Sequence, residues 1–302
     1  MQKHKFPERV YIREVGPRDG LQNESTFIPT KDKIEWIDQL SLSGLNYIEV
    51  TSFVNSEWIP ALSDADIIAK HIKISPEVTY AALVPNMRGL SRFLEGQIDE
   101  VSVFISASET HNKKNINKTI TETKAVLSEV VRESITNKKT VRGYISTVFG
   151  CPYEGNIEID KVIRLSDSLF EMGIEELSLG DTIGIANPLQ VTLLLETLLK
   201  RYPTSNLAMH FHNTRGTAMA NVLASLDMGI TKFDSSLGGL GGCPYAPGAS
   251  GNLATDDLNY MLTSMGIQTN IDSYKLNSAA QFIQEKLNRP LDSHAVKYGM
   301  TR

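Results

Sequence analysis

His210 and His212 stand two residues apart at the end of the apolar run 207–209. Alternate residues of a strand share a face, so both imidazoles point to one side. Two neutral imidazoles so placed can hold a divalent metal, and hydrogen-bonded structural histidines satisfy the same pattern. A second stretch, Gly16-Pro17-Arg18-Asp19-Gly20-Leu21-Gln22-Asn23-Glu24, puts a guanidinium beside a carboxylate. Taken alone, Arg18-Asp19 reads as a turn with a salt bridge. Taken with the histidines, Asp19 completes a mixed oxygen and nitrogen set suited to magnesium, manganese or zinc, with positions left open for a substrate. Arg18 then faces whatever the metal holds.

These residues have to be brought together, and the chain offers a means. Short β-branched or aliphatic runs alternate with segments of helical period, which is the pattern of repeated βα units. Strands are expected near 10–15, 47–51, 78–84, 100–105, 141–148, 176–179, 207–212 and 232–236, the number that a closed (β/α)8 TIM barrel requires. Between them, Thr30 opens a helix carrying Ile34, Ile37, Leu40 and Leu42 on one side, with Gly44 at its end. Further helices are expected over 117–138, 159–172 and, after the cap and proline of Asn187-Pro188, 189–199. A last helix over 274–287 makes a carboxy-terminal helical extension. The organisation expected is one barrel domain, about 10–265, followed by a helix and tail over 266–302.

Barrel active sites lie at the carboxyl ends of the strands, so the residues following each strand are the informative ones. Arg18, Asp19 and Gln22 follow the first strand, Glu49 and Thr51 lie in the second, Asp181 follows the sixth and the histidines end the seventh. After the eighth comes a glycine-rich stretch over 236–254 that contains Cys243 and Asn252. Such loops cradle phosphates or move as lids, and a thiol within one is positioned rather than packed. Asn252 is read first as the cap of the next helix, and its amide oxygen is also a suitable ligand. Cys151 reads as an ordinary residue near the barrel mouth.

With 302 residues, 41% hydrophobic and 22% charged, the chain can bury a large core. A net charge of -5 leaves no basic excess for a phosphate backbone, so nucleic acid is not the expected partner. The two cysteines make no disulfide framework, which with the absence of a leader-like apolar core points to a cytoplasmic location. No apolar run reaches the ~18 residues of a membrane span, so no membrane partner is expected.

Together these motifs resemble the 3-hydroxy-3-methylglutaryl-CoA (HMG-CoA) lyases, part of the metal-dependent group named for its Asp-Arg-Glu pattern and TIM barrel. The resemblance runs from Val10 to about Leu287. It rests on the Gly16 to Glu24 stretch, Tyr47-Ile48-Glu49-Val50-Thr51-Ser52-Phe53-Val54, Lys113-Lys114-Asn115-Ile116-Asn117, Leu179-Gly180-Asp181-Thr182-Ile183-Gly184, and the loop from Gly239 to Ala254. The cysteine loop is the most specific of them.

That resemblance implies a divalent metal, magnesium or manganese, held by Asp19, His210, His212 and Asn252. It implies catalytic roles for Arg18, Glu49 and Cys243, with Asp181 lining the site. Expected substrate contacts are Arg18, Gln22 and, for the tail of a CoA thioester, Lys113, Lys114 and Asn115. The implied reaction is cleavage of HMG-CoA to acetyl-CoA and acetoacetate, as in leucine degradation, with a base that is Asp19, His210 or Asp181. A homo-oligomer, dimer or tetramer, is expected. Two departures stand out: Asn213 where the wider group has Asp, and Asp256 where the animal lyases have Glu. Alternatives are a condensing synthase or 2-oxo acid aldolase of the same group, action on a longer branched thioester, or a metal-binding scaffold without turnover. The cysteine loop, and a carboxy-terminal remainder too short for a regulatory domain, favour the lyase.

Overall fold

Apolar and polar residues alternate along the strand segments, and in a parallel sheet wrapped by helices both faces have to be buried. The computed structural model, which describes residues 6–241 and 251–299, meets this demand by closing the sheet. The strands are β1 (Tyr11–Glu14), β2 (Tyr47–Ser52), β3 (Thr79–Leu83), β4 (Glu100–Ser106), β5 (Thr140–Ser146), β6 (Glu176–Asp181), β7 (Leu207–Phe211) and β8 (Lys232–Ser235). They pair in parallel and in order, and β8 returns to β1 with Tyr11 opposite Lys232 and Glu14 opposite Ser235. The closed eight-stranded barrel expected from the alternation is the fold observed, with Cys243 lying outside the described residues.

One face of each strand belongs to the apolar layer under the helices: Val141 and Ile145 in β5, Leu177 and Leu179 in β6, Met209 and Phe211 in β7. The alternate residues turn into the barrel, where Arg142, Tyr144, Glu176, Ser178, His210 and Asp234 form one chain of contacts. A bulge in β2, where the register with β3 slips between Glu49 and Thr51, falls beside the site. An extra residue in one strand re-aims the side chains next to it.

The helices depart from the sequence reading in instructive ways. In the helix Thr30–Ser41 the buried residues are Lys33, Trp36, Ile37 and Leu40, whereas Leu42 is 68% exposed. Lys33 is inward because Asp64 accepts from its ammonium at 2.9 Å and the Ala61 carbonyl at 2.6 Å, a pairing that apolar periodicity does not reveal. The helix expected over 117–138 is Ile120–Thr136, started by a reciprocal cap between Thr119 and Glu122, and a separate helix Glu109–Ile116 precedes it. Asn117, left-handed at φ 57°, ends that earlier helix. Ile159–Met172 matches its expected span, and Asn187 and Gln190 cap the helix Pro188–Leu198 as the Asn-Pro pair foretold. The carboxy-terminal helix is Ser273–Leu287, capped by Asp272, with a short helix His294–Lys297 beyond it that periodicity had not marked.

Glu14, at the end of β1, ties the mouth of the barrel together. One carboxyl oxygen accepts from the Gly16 amide at 2.8 Å and the Leu237 amide at 2.9 Å, and the other meets the Thr255 hydroxyl at 2.6 Å. Burial pushes its pKa up to about 7, with those hydrogen bonds opposing the shift. The folded chain therefore keeps a proton on Glu14 that the unfolded chain has already released between the ordinary carboxyl range and pH 7. Stability from this group is full below that range and falls as pH rises through it, by roughly 3 kcal/mol. Glu14→Gln, which mimics the protonated acid, is expected to gain stability relative to the wild type on going from pH 5 to pH 8. Glu14→Ala, which strands both amides, loses about 3 kcal/mol at pH 5 and less at pH 8, where the wild type has itself lost the contribution of the protonated acid. Urea denaturation at the two pH values checks both.

Candidate active site

The chain leaves β1 through a short π-helical turn, Gly16–Gly20, in which the Val15 carbonyl accepts from the amides of Arg18, Asp19 and Gly20. Insertions of this type recur at functional sites because they reorient side chains within one turn. Here the turn rolls Arg18 and Asp19 over the carboxyl ends of the strands. The Arg18 guanidinium donates to Glu49 Oε2 through Nε at 2.7 Å, and to Asp19 Oδ1 through Nη1 at 2.5 Å. It also lies 5.5 Å from the centre of the Tyr144 ring, whose hydroxyl donates to the same Glu49 oxygen at 3.2 Å. Burial alone lowers the pKa of Arg18, but Glu49 and Asp19 outweigh it and keep the guanidinium charged.

Across the mouth, His210 at the end of β7 and His212 just beyond it have their Nε2 atoms 3.2 Å apart. His210 Nε2 is 3.8 Å from Asp19 Oδ2, and one ligand atom from each of Asp19, His210 and His212 falls within 4.8 Å of the others. Burial, and then the neighbouring His210, push the His212 pKa down to about 4, so its ring is neutral at pH 7. Burial works against ionisation of Asp19, yet Arg18, the two histidines and Asn252 hold its carboxyl well below the usual carboxylate range. A carboxylate kept ionised beside two imidazoles is the donor set a divalent cation requires.

Asn252 is not the helix cap that its position in the sequence suggested. The helix Thr255–Ser264 is preceded by Ala254 without any side-chain cap. Instead the segment after the glycine-rich loop runs back along the end of β7, with Asn252 bridged to His212 and the Leu253 amide donating to the Phe211 carbonyl at 3.0 Å. This places the Asn252 amide nitrogen 2.8 Å from Asp19 Oδ2 and leaves Oδ1 buried without a hydrogen-bond partner. An orphaned buried oxygen next to Asp19 fits a cation ligand. Gly241, at φ 95°, makes this approach possible, since a Cβ there would come within 2.6 Å of the Asn252 nitrogen.

The expected site residues thus divide. Arg18, Asp19, Glu49, His210, His212 and Asn252 meet at the barrel mouth. Gln22 lines the same cavity, which has a volume of about 940 Å3, and Lys114 and Asn115 line it on another side. Such a volume suits an organic ligand. Lys113 does not line it and pairs with Glu109 at 3.6 Å along its own helix. Asp181 spends its two oxygens on the amides of Ile185 and Ala186, at 2.9 and 3.1 Å, and burial pushes its pKa up to about 6. Cys243 lies outside the described residues.

Three residues escaped the sequence reading. Tyr144 lines the cavity and contacts both Arg18 and the edge of the His210 ring. Asp234 meets His210 Nδ1 at 3.1 Å, and Arg142 donates to Asp234 at 2.6 Å. The available signal was the alternation in β5 and β8, where Arg142, Tyr144 and Asp234 occupy inward positions of buried strands.

The HMGL-like family profile matches residues 9–283. A hydroxymethylglutaryl-CoA lyase from Bacillus subtilis is 60% identical over 288 residues, covering 95% of this chain and 96% of that protein. The crystal structure of the Bacillus subtilis HMG-CoA lyase has a TM-score of 0.97 at 59% identity, covering 98% of this chain and 99% of that one. An HMG-CoA lyase from Acinetobacter baumannii, solved in complex with coenzyme A and 3-methylmalate, has a TM-score of 0.93 at 39% identity over 99% of this chain and 97% of that one.

His212→Ala and Asn252→Ala are each expected to weaken binding of Mn2+ to the chelator-treated protein by about 100-fold or more, since each removes one donor from the set. Titration followed by manganese electron paramagnetic resonance measures this directly. Unchanged affinity in both would show that the cation is held elsewhere.

Proposed function

The chain belongs to the HMGL-like family, and we propose that it is a divalent-metal-dependent carbon-carbon lyase that cleaves HMG-CoA to acetyl-CoA and acetoacetate. The observation that carries this reading is the buried Arg18 guanidinium, held by Glu49 and Asp19 beside the histidines at the mouth of an organic-ligand-sized cavity. Asp19, His210, His212 and Asn252 hold the cation, Mg2+ or Mn2+. When bound, it supplies Lewis acidity that lowers the pKa of the tertiary hydroxyl.

The remaining chemistry falls to the side chains. The hydroxyl proton passes to Asp19: of the three candidate bases, Asp181 is set back with both oxygens committed to the backbone of its turn, and His210 has one ring nitrogen facing Asp234 and the other at the cation site. As the bond between C2 and C3 breaks, its electron pair moves into the thioester as an enolate and acetoacetate departs. Arg18 donates to the enolate oxygen as charge develops there. Because Glu49 and Tyr144 already fix the guanidinium, little reorganisation is needed at that moment. Cys243 gives its thiol proton to the enolate carbon, yielding acetyl-CoA, and the proton taken from the hydroxyl restores the thiol. Lys114 and Asn115, with Arg88 and Lys118 of the same cavity, receive the polar tail of the CoA thioester.

The proposal includes a cytoplasmic location and self-association to a dimer or tetramer. Among the described residues no helix is long and apolar enough to cross a membrane.

Cleavage of HMG-CoA, followed as released acetyl-CoA, is expected with Mn2+ or Mg2+ and to vanish after chelation. Full turnover by protein shown to be metal-free would reject the metal role, and no cleavage under any metal would reject the substrate. Arg18→Gln should lower kcat by at least about 100-fold with a smaller change in KM, because the charge it meets exists only near the transition state. A change in KM alone would contradict that role.

A further inference from the structure

We infer that Asp234, itself fixed by Arg142, is a positioning residue that sets the tautomer and aim of His210. This rests on the metal-site reading above and extends it one layer into the barrel.

His210 and His212 are treated unequally by their surroundings. His210 Nδ1 lies 3.1 Å from Asp234 Oδ2, whereas His212 Nδ1 is buried with no hydrogen-bond partner. An ionised carboxylate accepts hydrogen bonds and gives none, so the Nδ1 that faces it carries the hydrogen. In the neutral ring this leaves the lone pair on Nε2, the atom 3.2 Å from His212 Nε2 and 3.8 Å from Asp19 Oδ2. The ligand atom is thus selected from behind.

Asp234 can do this because it has no freedom of its own. Its side chain is fully buried, Arg142 Nη2 donates to Oδ1 at 2.6 Å, and Ser178 Oγ donates to Oδ2 at 2.7 Å. Arg142 is in turn held at Nε by Glu176 at 2.7 Å and lies 4.6 Å from the centre of the Tyr144 ring. The guanidinium takes Oδ1 closely and reaches Oδ2 only at 3.4 Å, so Oδ2 is directed chiefly at His210 and Ser178. An asparagine at this position has one acceptor only. Arg142 would take it, turning the amide N–H2 toward His210 Nδ1, and the ring would have to move its hydrogen to Nε2. That tautomer has no lone pair at the ligand position.

The test uses the full chain, labelled with 15N-histidine and freed of metal, at pH 8. The His210 signals are assigned by their absence from His210→Gln. In the wild type, Nδ1 is expected to be the protonated nitrogen of His210, and Mn2+ titration gives the reference affinity. Asp234→Asn should move the proton to Nε2 and weaken Mn2+ binding about 10- to 100-fold with an unchanged far-ultraviolet circular dichroism spectrum. Ser178→Ala, which removes a neutral neighbour of the same oxygen, should stay within about 3-fold of the wild type. A wild-type His210 protonated at Nε2 overturns the inference, and this measurement stands even if Asp234→Asn fails to fold. So does a folded Asp234→Asn with wild-type affinity, or an equal loss in Ser178→Ala. Failure of the wild type to bind Mn2+ would instead reject the metal site, leaving the tautomer spectrum to judge Asp234.

Discussion

A guanidinium group leaves water only where carboxylates meet it, and the interior of this barrel is arranged around that demand. Arg142 is wholly buried between Asp234 and Glu176, and Glu176 also accepts from Arg13 at 3.0 Å and Lys232 at 2.5 Å. Nearer the mouth, Arg18 is held by Glu49 and Asp19. The Tyr144 ring joins the two groups, with Arg142 4.6 Å and Arg18 5.5 Å from its centre. Charge is therefore paired in sequence from the base of the barrel up to the reacting end. Barrel interiors are more often filled by branched aliphatic layers. This one gives up such packing for a set of charges whose positions fix one another, and breaking any pair would strand its partner.

The mouth is closed by parts of the chain that are distant in sequence. The segment after the glycine-rich loop is pinned where the Asn213 amide donates to the Gly251 carbonyl at 2.7 Å and the Ser236 amide to the Leu253 carbonyl at 2.9 Å. The carboxy-terminal tail secures the other end of that loop, since the Gly238 carbonyl accepts from Asp292 and Ser293 while the Gly238 amide donates to Asp256 at 2.8 Å. The two departures from the family pattern find their places here. Asn213 uses its side-chain oxygen to accept from the Ala218 amide at 3.2 Å, a contact that an aspartate oxygen could equally make. Asp256 anchors the loop's base through the side-chain oxygen that accepts from the Gly238 amide, so the length of its side chain bears on loop placement.

Local physics wrote much of this into the sequence. Strand alternation announced eight βα units, because each strand needs one apolar face for the helices. The two-residue spacing of His210 and His212 placed both rings on one side without reference to anything else in the chain. The Asn187-Pro188 pair marked a helix start through a cap and a fixed φ, both properties of neighbours. Where a residue's partner lay far away, the reading weakened. Lys33 pointed inward because of Asp64, Leu42 outward against its apolar character, and Asn252 toward Asp19 rather than toward the helix it precedes.

By itself, then, the sequence determined the barrel, the face on which chemistry gathers, and the identity of Arg18, Asp19, Glu49, His210, His212 and Asn252 as residues to watch. It could do so because periodicity and motif spacing depend on contacts within a few residues. Only the tertiary structure decided that Asn252 presents an unpartnered oxygen, that Asp181 serves its own turn, and that Lys113 stands outside the cavity. It alone brought Asp234 behind His210 and Arg142 behind Asp234, across 24 and 92 residues of chain respectively. Those choices follow from barrel closure, which sets inward side chains of different strands against one another, and no local pattern carries that register.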